Sequence, residues 1–153
     1  MKGILKWPLI IAAILVAARV VLERLGAPFE ISNKVSVSVL LTLIVPLYLA
    51  WRISASTATH PYRDLLKGTI VYAALVRAMV AVTYWLAYIY QWPEPRFREE
   101  NAGVVGPGVT PVEVLLVPLV LALSWIIGAI IIGGGLGSLL IAIRRRSSRA
   151  VAS

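Results

Sequence analysis

Residues 111–143 read PVEVLLVPLVLALSWIIGAIIIGGGLGSLLIAI and decide the fold: 33 residues hold one charged side chain, Glu113, and Arg144, Arg145 and Arg146 follow at once. About 20 helical residues, rising about 1.5 Å each, cross a hydrocarbon core about 30 Å thick. A segment apolar on all sides has no face to offer water. Lipid cannot hydrogen-bond the backbone, so the segment must be a helix or part of a closed barrel, and it lacks the period-two alternation of a barrel strand.

Toward the N-terminus, residues 4–22, 35–53 and 65–90 have the same character. The sequence therefore predicts an all-α, polytopic transmembrane helical bundle of about four spans, a single domain over residues 1–153. Composition agrees: 59% of the residues are hydrophobic and 14% charged, against roughly 45–50% and about 25% in soluble domains. The two halves show no internal repeat.

The first block opens with Lys2, Lys6 and Pro8, and Val16-Ala17-Ala18 has the small-residue spacing of a signal-peptidase site. Arg19 and Glu23, at i and i+4, and an apolar pattern continuing to Leu25 favour a retained signal anchor. Orientation follows from the basic residues. Nine (Lys2, Lys6, Arg52, Arg63, Lys67, Arg144, Arg145, Arg146, Arg149) fall on one side and five (Arg19, Arg24, Lys34, Arg96, Arg98) on the other. The positive-inside rule then puts both termini in the cytoplasm of a bacterial inner-membrane protein, with residues 91–110 as a periplasmic loop and 144–153 as a basic cytoplasmic tail. That tail should also rest on anionic lipid headgroups.

The net charge of +8 gathers at the ends of apolar blocks, which speaks for membrane orientation and against nucleic acid. With no cysteine and one histidine, His60, a disulfide, a thiol redox centre, a Cys/His zinc site and bis-histidine haem ligation within one chain are excluded. No intrinsic metal, haem or disulfide site is expected; other cofactors are left open.

Local signals mark helix ends. Thr110-Pro111-Val112-Glu113 reads as a capping box with proline at the first helical position. His60-Pro61 opens the third span with Asp64 in its first turn, and Trp92-Pro93 closes it. At about 50 Å, residues 111–143 exceed the membrane's apolar thickness, so Pro118 and the glycine run are expected bend points, as is Pro46 in the second span.

Arg77 is the most informative residue. Near the middle of a span an arginine costs at least ~2.5–3.5 kcal/mol on insertion scales, so it should face protein or water. Helical spacing aligns it with Ala73, Ala81, Tyr84 and Tyr88. Arg77, Tyr84 and Tyr88 are the candidate ligand site, for an anion, a carboxylate or a quinone headgroup. The structural alternative bonds Arg77 to a neighbouring helix near Ser38, Thr42 or Ser124, or to a partner subunit. Tyr84, Trp85, Tyr88, Tyr90 and Trp92 read as an interfacial aromatic belt. Gly133 and Gly137 form a GxxxG pair, and Gly134, Ser138 and Ala142 continue a small-residue row, predicting a tight helix contact within or between chains.

These features lead to a small accessory or structural membrane subunit, assembling with itself or with a larger membrane complex. The runner-up is a small oligomeric transporter or channel for an anionic or lipid-like solute, with Arg77 in the pathway. A membrane enzyme acting on a lipid or quinone has only His60-Pro61-Tyr62-Arg63-Asp64 to recommend it, and those residues also make an ordinary helix start.

Overall fold

A computed structural model of the chain describes the backbone of residues 3–151 and the side chains of residues 3–147; Lys2, Ser148 and Arg149 of the sequence reading lie outside the described side chains. The fold is an all-α bundle with no strand among the described residues. The helices are α1 (Lys6–Arg24), α2 (Phe29–Lys34), α3 (Val37–Val39), α4 (Val45–Ser54), α5 (Pro61–Ile89), α6 (Pro111–Gly128) and α7 (Gly135–Val151). Two of the joints are π-helical: Leu40–Ile44 links α3 to α4, and Ala129–Gly134 links α6 to α7.

Among the described residues three helices, not four, are long and apolar enough to cross a membrane: Phe29–Ser54, Pro61–Ile89 and Pro111–Ser147. The fourth expected span, residues 4–22, forms α1, but its ends are charged. Lys6 opens the helix and Arg19, Glu23 and Arg24 occupy its last turns. The uncharged run, residues 7–18, is 12 residues, about 18 Å of helix and well short of a hydrocarbon core. Hydropathy summed over the block hid this, because the charges sit at positions the apolar pattern runs past.

The expected caps form. The Thr110 hydroxyl accepts from the Glu113 N–H while the Glu113 carboxylate accepts from the Thr110 N–H at 2.8 Å. Pro61 takes the first position of α5, with Asp64 in its first turn. At Pro46 and the glycine run the expected bends take the form of π segments, whereas Pro118 lies inside the unbroken α-helix α6. Pro46 has no N–H to give the carbonyl of Thr42, and the Val45 N–H reaches back five residues to Leu40.

The two π segments face each other and α4 packs along α7, which joins the first and third long helices over their lower halves. Here, "lower" means the end at which α5 begins. A Cβ on Gly133 would lie 2.5 Å from Pro46 Cγ and 2.6 Å from the Thr42 carbonyl oxygen, so only glycine allows this approach. One turn on, a Cβ on Gly137 would lie 2.9 Å from Leu65 and 3.2 Å from Ala50. The GxxxG pair thus packs inside this chain. Gly134 has open space where its side chain would be, and it, Ser138 and Ala142 are half-buried at the edge of that contact.

The chain beyond α5 is not a loose linker. Two 3-10 turns, Pro95–Phe97 and Glu99–Asn101, fold it back. Phe97 and Val104 are fully buried against Tyr84 and Ala87. A Cβ on Gly103 would meet the Phe97 carbonyl, and Glu99 fills the space over Gly106 and accepts from the Gly108 N–H at 2.9 Å. Phe97 is therefore a plug on the upper end of α5. Its ring meets those of Tyr84 and Trp92 edge-on, at 5.2 and 5.4 Å between centroids.

Candidate functional site: a cationic cavity in the upper half of the bundle

Arg77 lies on α5 with 7% of its surface exposed, and its Nε and one terminal nitrogen are buried without a hydrogen-bond partner. No carboxylate lies within ion-pair distance of it among the described residues. Ser38 lines the same cavity, but the side chains of Thr42 and Ser124 are engaged locally, with the Ser38 and Val120 carbonyls. Instead the guanidinium rests on the Trp125 ring, 4.4 Å from its centroid. Such a contact is worth ~0.5–2 kcal/mol, less than the ~2.5–3.5 kcal/mol or more that an arginine costs at the centre of a span. Trp125 alone does not compensate for the charge.

A cavity of about 180 Å³ opens beside it, walled by α1, α5, α6 and the chain around α3. At roughly 10–15 Å³ per water, it holds on the order of ten waters or a small headgroup. Three arginines line it: Arg77, Arg19 from the last turns of α1, and Arg96 from the plug. Asn33, Ser36, Ser38 and Tyr84 add polar groups.

Glu23 ties two of the three arginines together. Its carboxylate accepts from Arg19 Nε at 3.0 Å, and its other oxygen stands 3.6 Å from Arg96 Nε. Arg19 also donates to Asn33 Oδ1 at 3.3 Å, and Arg96 to Thr83 Oγ1 at 3.1 Å. Arg96 stacks over Phe97 at 4.4 Å. Burial lowers the pKa of Arg96 and the Glu23 carboxylate opposes the shift, but an arginine stays charged at any physiological pH. A second pair, Arg24 to Glu94 at 3.0 Å, closes the end of α1 onto the start of the plug. Glu23 and Glu94 are nine-tenths buried; the Arg19–Glu23 pair is held away from water, whereas Arg24 leaves half of its side chain exposed. Within this cluster four arginines (Arg19, Arg24, Arg77 and Arg96) face two carboxylates (Glu23 and Glu94), an excess of two positive charges around the cavity.

Of the ligand-site residues read from sequence, Arg77 and Tyr84 line the cavity. Tyr88 packs on the Phe97 cluster outside it. Sequence reasoning did not place Arg19, Arg96, Asn33, Ser36 or Trp125 at the site. The i,i+4 spacing of Arg19 and Glu23 was visible, but nothing local connects either residue to Arg96, more than 70 positions on. The aromatic group also divides: Tyr84 and Trp92 hold Phe97, Trp85 donates to the Val114 carbonyl at 3.1 Å, and Tyr90 is exposed.

Below Arg77, α5 carries two further buried groups without partners, the Tyr72 hydroxyl and Thr69 Oγ1. At the far end, Arg144 donates to the Trp51 carbonyl and to Ser54 Oγ, and Arg145 to the Ala58 carbonyl at 3.0 Å. These basic residues thus bind the carbonyl end of α4 and the turn beyond it, where a helix dipole favours positive charge. No group of three or more histidine, cysteine or acidic side chains able to hold a metal ion occurs among the described residues. No family model, curated protein or solved structure matches the chain.

Proposed function

We propose that the protein is a small membrane transporter or channel, acting as an oligomer on an anionic or lipid-like solute, with Arg77 in the pathway. One observation carries this reading: a nine-tenths-buried arginine without a carboxylate partner lines a cavity with two more arginines. A buried cation of this kind is costly to keep unless something anionic meets it. The Tyr72 hydroxyl and Thr69 Oγ1, buried below it on the same helix, are further polar groups without partners. The test is flux of labelled organic anions into proteoliposomes of the purified chain. Flux that falls to background in Arg77→Leu supports the reading. A wild-type protein that moves no anion and loses its assembly in Arg77→Leu sinks it.

The accessory-subunit reading keeps one observation in its favour. Only 11% of the most apolar window of Pro111–Ser147 is buried within the chain, and Gly128, Gly134 and Gly135 have open space above them. A second helix could pack there closely. Purification in a mild detergent, with identification of copurifying proteins, separates that reading from transport.

The same proposal puts the protein in a bacterial cytoplasmic membrane with both termini cytoplasmic. The excess of basic residues at the α4–α5 turn and in the tail supports that orientation. It requires α1 to complete a fourth crossing, with Lys6 reaching down to the cytoplasmic headgroups along its apolar stem. Reporter fusions at residue 153 and within residues 91–110 test it, and a periplasmic signal at residue 153 refutes it. Anionic headgroups at the basic tail remain part of the proposal.

A further inference from the structure

The walls of the cationic cavity are unequal. Helix α5 packs along both α1 and α6, and α3 meets α1, so three sides are closed by helix contacts. Below the level of the cavity, the two π segments pack against each other. Between α3 and α6 no comparable contact exists, and the cavity reaches both, touching Val37 and Ser38 on one side and Pro118, Leu121 and Ala122 on the other. Both helices belong to segments apolar enough to lie in a membrane, so the gap faces hydrocarbon. Val39, next to the gap, is more than half exposed, and Trp125 is 38% exposed although its ring covers Arg77. The cavity is thus cationic at its inner and upper end and apolar where it meets lipid.

We infer that the anion held at Arg77 is the acidic headgroup of a single-chain amphiphile that reaches the cavity sideways from the lipid, through the gap between α3 and α6. This rests on the reading of the cavity as an anion site, and adds the chemistry of the rest of the ligand. The headgroup accepts from the unpartnered nitrogens of Arg77 and faces Arg19 and Arg96, whose single shared carboxylate, Glu23, leaves positive charge to spare. The hydrocarbon chain lies along Val37, Leu121 and Ala122 and leaves between the helices. A free anion from water would use the same guanidiniums but would gain nothing from the apolar opening. A neutral lipid would gain the opening but not the charge. The amphiphile uses both.

The full chain in nanodiscs of phosphatidylcholine, which is zwitterionic, tests this with radiolabelled dodecyl phosphate as the probe. Saturable binding is expected, with inorganic phosphate and dodecanol each far poorer competitors. Arg77→Leu should weaken binding about 10- to 100-fold, the usual loss for a buried charge-assisted hydrogen-bond donor. Arg77→Lys keeps the charge and loses the planar fork, so it should weaken binding several-fold and covers the case in which the leucine variant fails to fold. If inorganic phosphate competes as well as dodecyl phosphate and both depend on Arg77, the amphiphile inference falls and the anion site stands. If dodecanol competes equally, or no Arg77-dependent binding is seen, the anion site falls with it.

Discussion

Two neighbouring glycines should respond in opposite directions to the same change. In Gly133→Ala the new methyl would stand 2.5 Å from the Pro46 ring and 2.6 Å from the Thr42 carbonyl oxygen. Neither neighbour is a flexible side-chain tip. The ring is fixed to its backbone and the carbonyl belongs to a π segment, so α7 must move away from α4. Overpacking of this kind typically costs ~1–3 kcal/mol, from which the helix-propensity gain of alanine over glycine, about 0.5–1 kcal/mol, is to be subtracted. In Gly134→Ala the methyl meets nothing within 4 Å, so the propensity gain remains alone. The propensity gain is common to both variants, so they should differ by the overpacking cost, about 1–3 kcal/mol, or roughly 2–12 °C in thermal midpoint for a chain of this size. Thermal unfolding in a mild detergent, followed by tryptophan fluorescence, reads the difference. Gly137→Ala should fall between them, because its closest neighbour, Leu65 Cδ2 at 2.9 Å, is a side-chain tip that can turn. If Gly134→Ala melts at or below Gly133→Ala, the packing of α7 against α4 described above is wrong.

Tyr72→Phe removes a fully buried hydroxyl that has no partner, so stability should hold or rise by about 1 kcal/mol; a loss above that would mean the hydroxyl is bonded. Gly103→Ala forces a methyl onto the Phe97 carbonyl and should release the plug, read as faster proteolysis within residues 91–110 while the helices stay intact by circular dichroism. Glu23→Gln leaves Arg19 and Arg96 without their carboxylate; breaking such buried pairs costs about 3–5 kcal/mol, and an added anionic amphiphile should restore more melting temperature to this variant than to the wild type. Equal restoration would refute competition between Glu23 and the ligand. Thr110→Ala should lower stability by about 1 kcal/mol through loss of the capping box, measured in the same detergent unfolding assay.

The helical class, three of the four spans and the start of α6 were legible because each is written locally. A run of apolar residues, a Thr-x-x-Glu box and a proline at a first turn need no partner elsewhere in the chain. Arg77 was legible for the opposite reason, as a residue whose cost in an apolar span demands explanation. What the sequence hid is non-local. Pro46 and the glycine run suggested bends, but only their meeting shows why Gly133, and not Gly134, must lack a side chain. The end of α1 was harder to read, because Arg19, Glu23 and Arg24 look like a span's flank until their partners, Arg96 and Glu94, show that they are part of the packed bundle and leave α1 a shorter apolar run than the other spans. Phe97 was the one signal in the loop: a lone phenylalanine among Pro, Arg and Glu is a candidate anchor, and it brings Arg96 to the cavity.

The position of the cavity follows from where the close packing is. Gly133 and Gly137 draw α7 onto α4 and α5, and the facing π segments complete that contact. The helices are joined tightly below this level, and above it nothing small or complementary draws α3 and α6 together, so a wedge is left open. An apolar wedge would simply fill with lipid chains. This one ends against Arg77, Arg19 and Arg96. Lipid chains cannot satisfy a guanidinium, Glu23 reaches only two of the three, and the Trp125 face offsets part of the remaining cost. On the inference drawn above, the arrangement is stabilised by what binds it: an occupant with a negative head and an apolar body matches both ends of the wedge, and neither water nor a neutral lipid does.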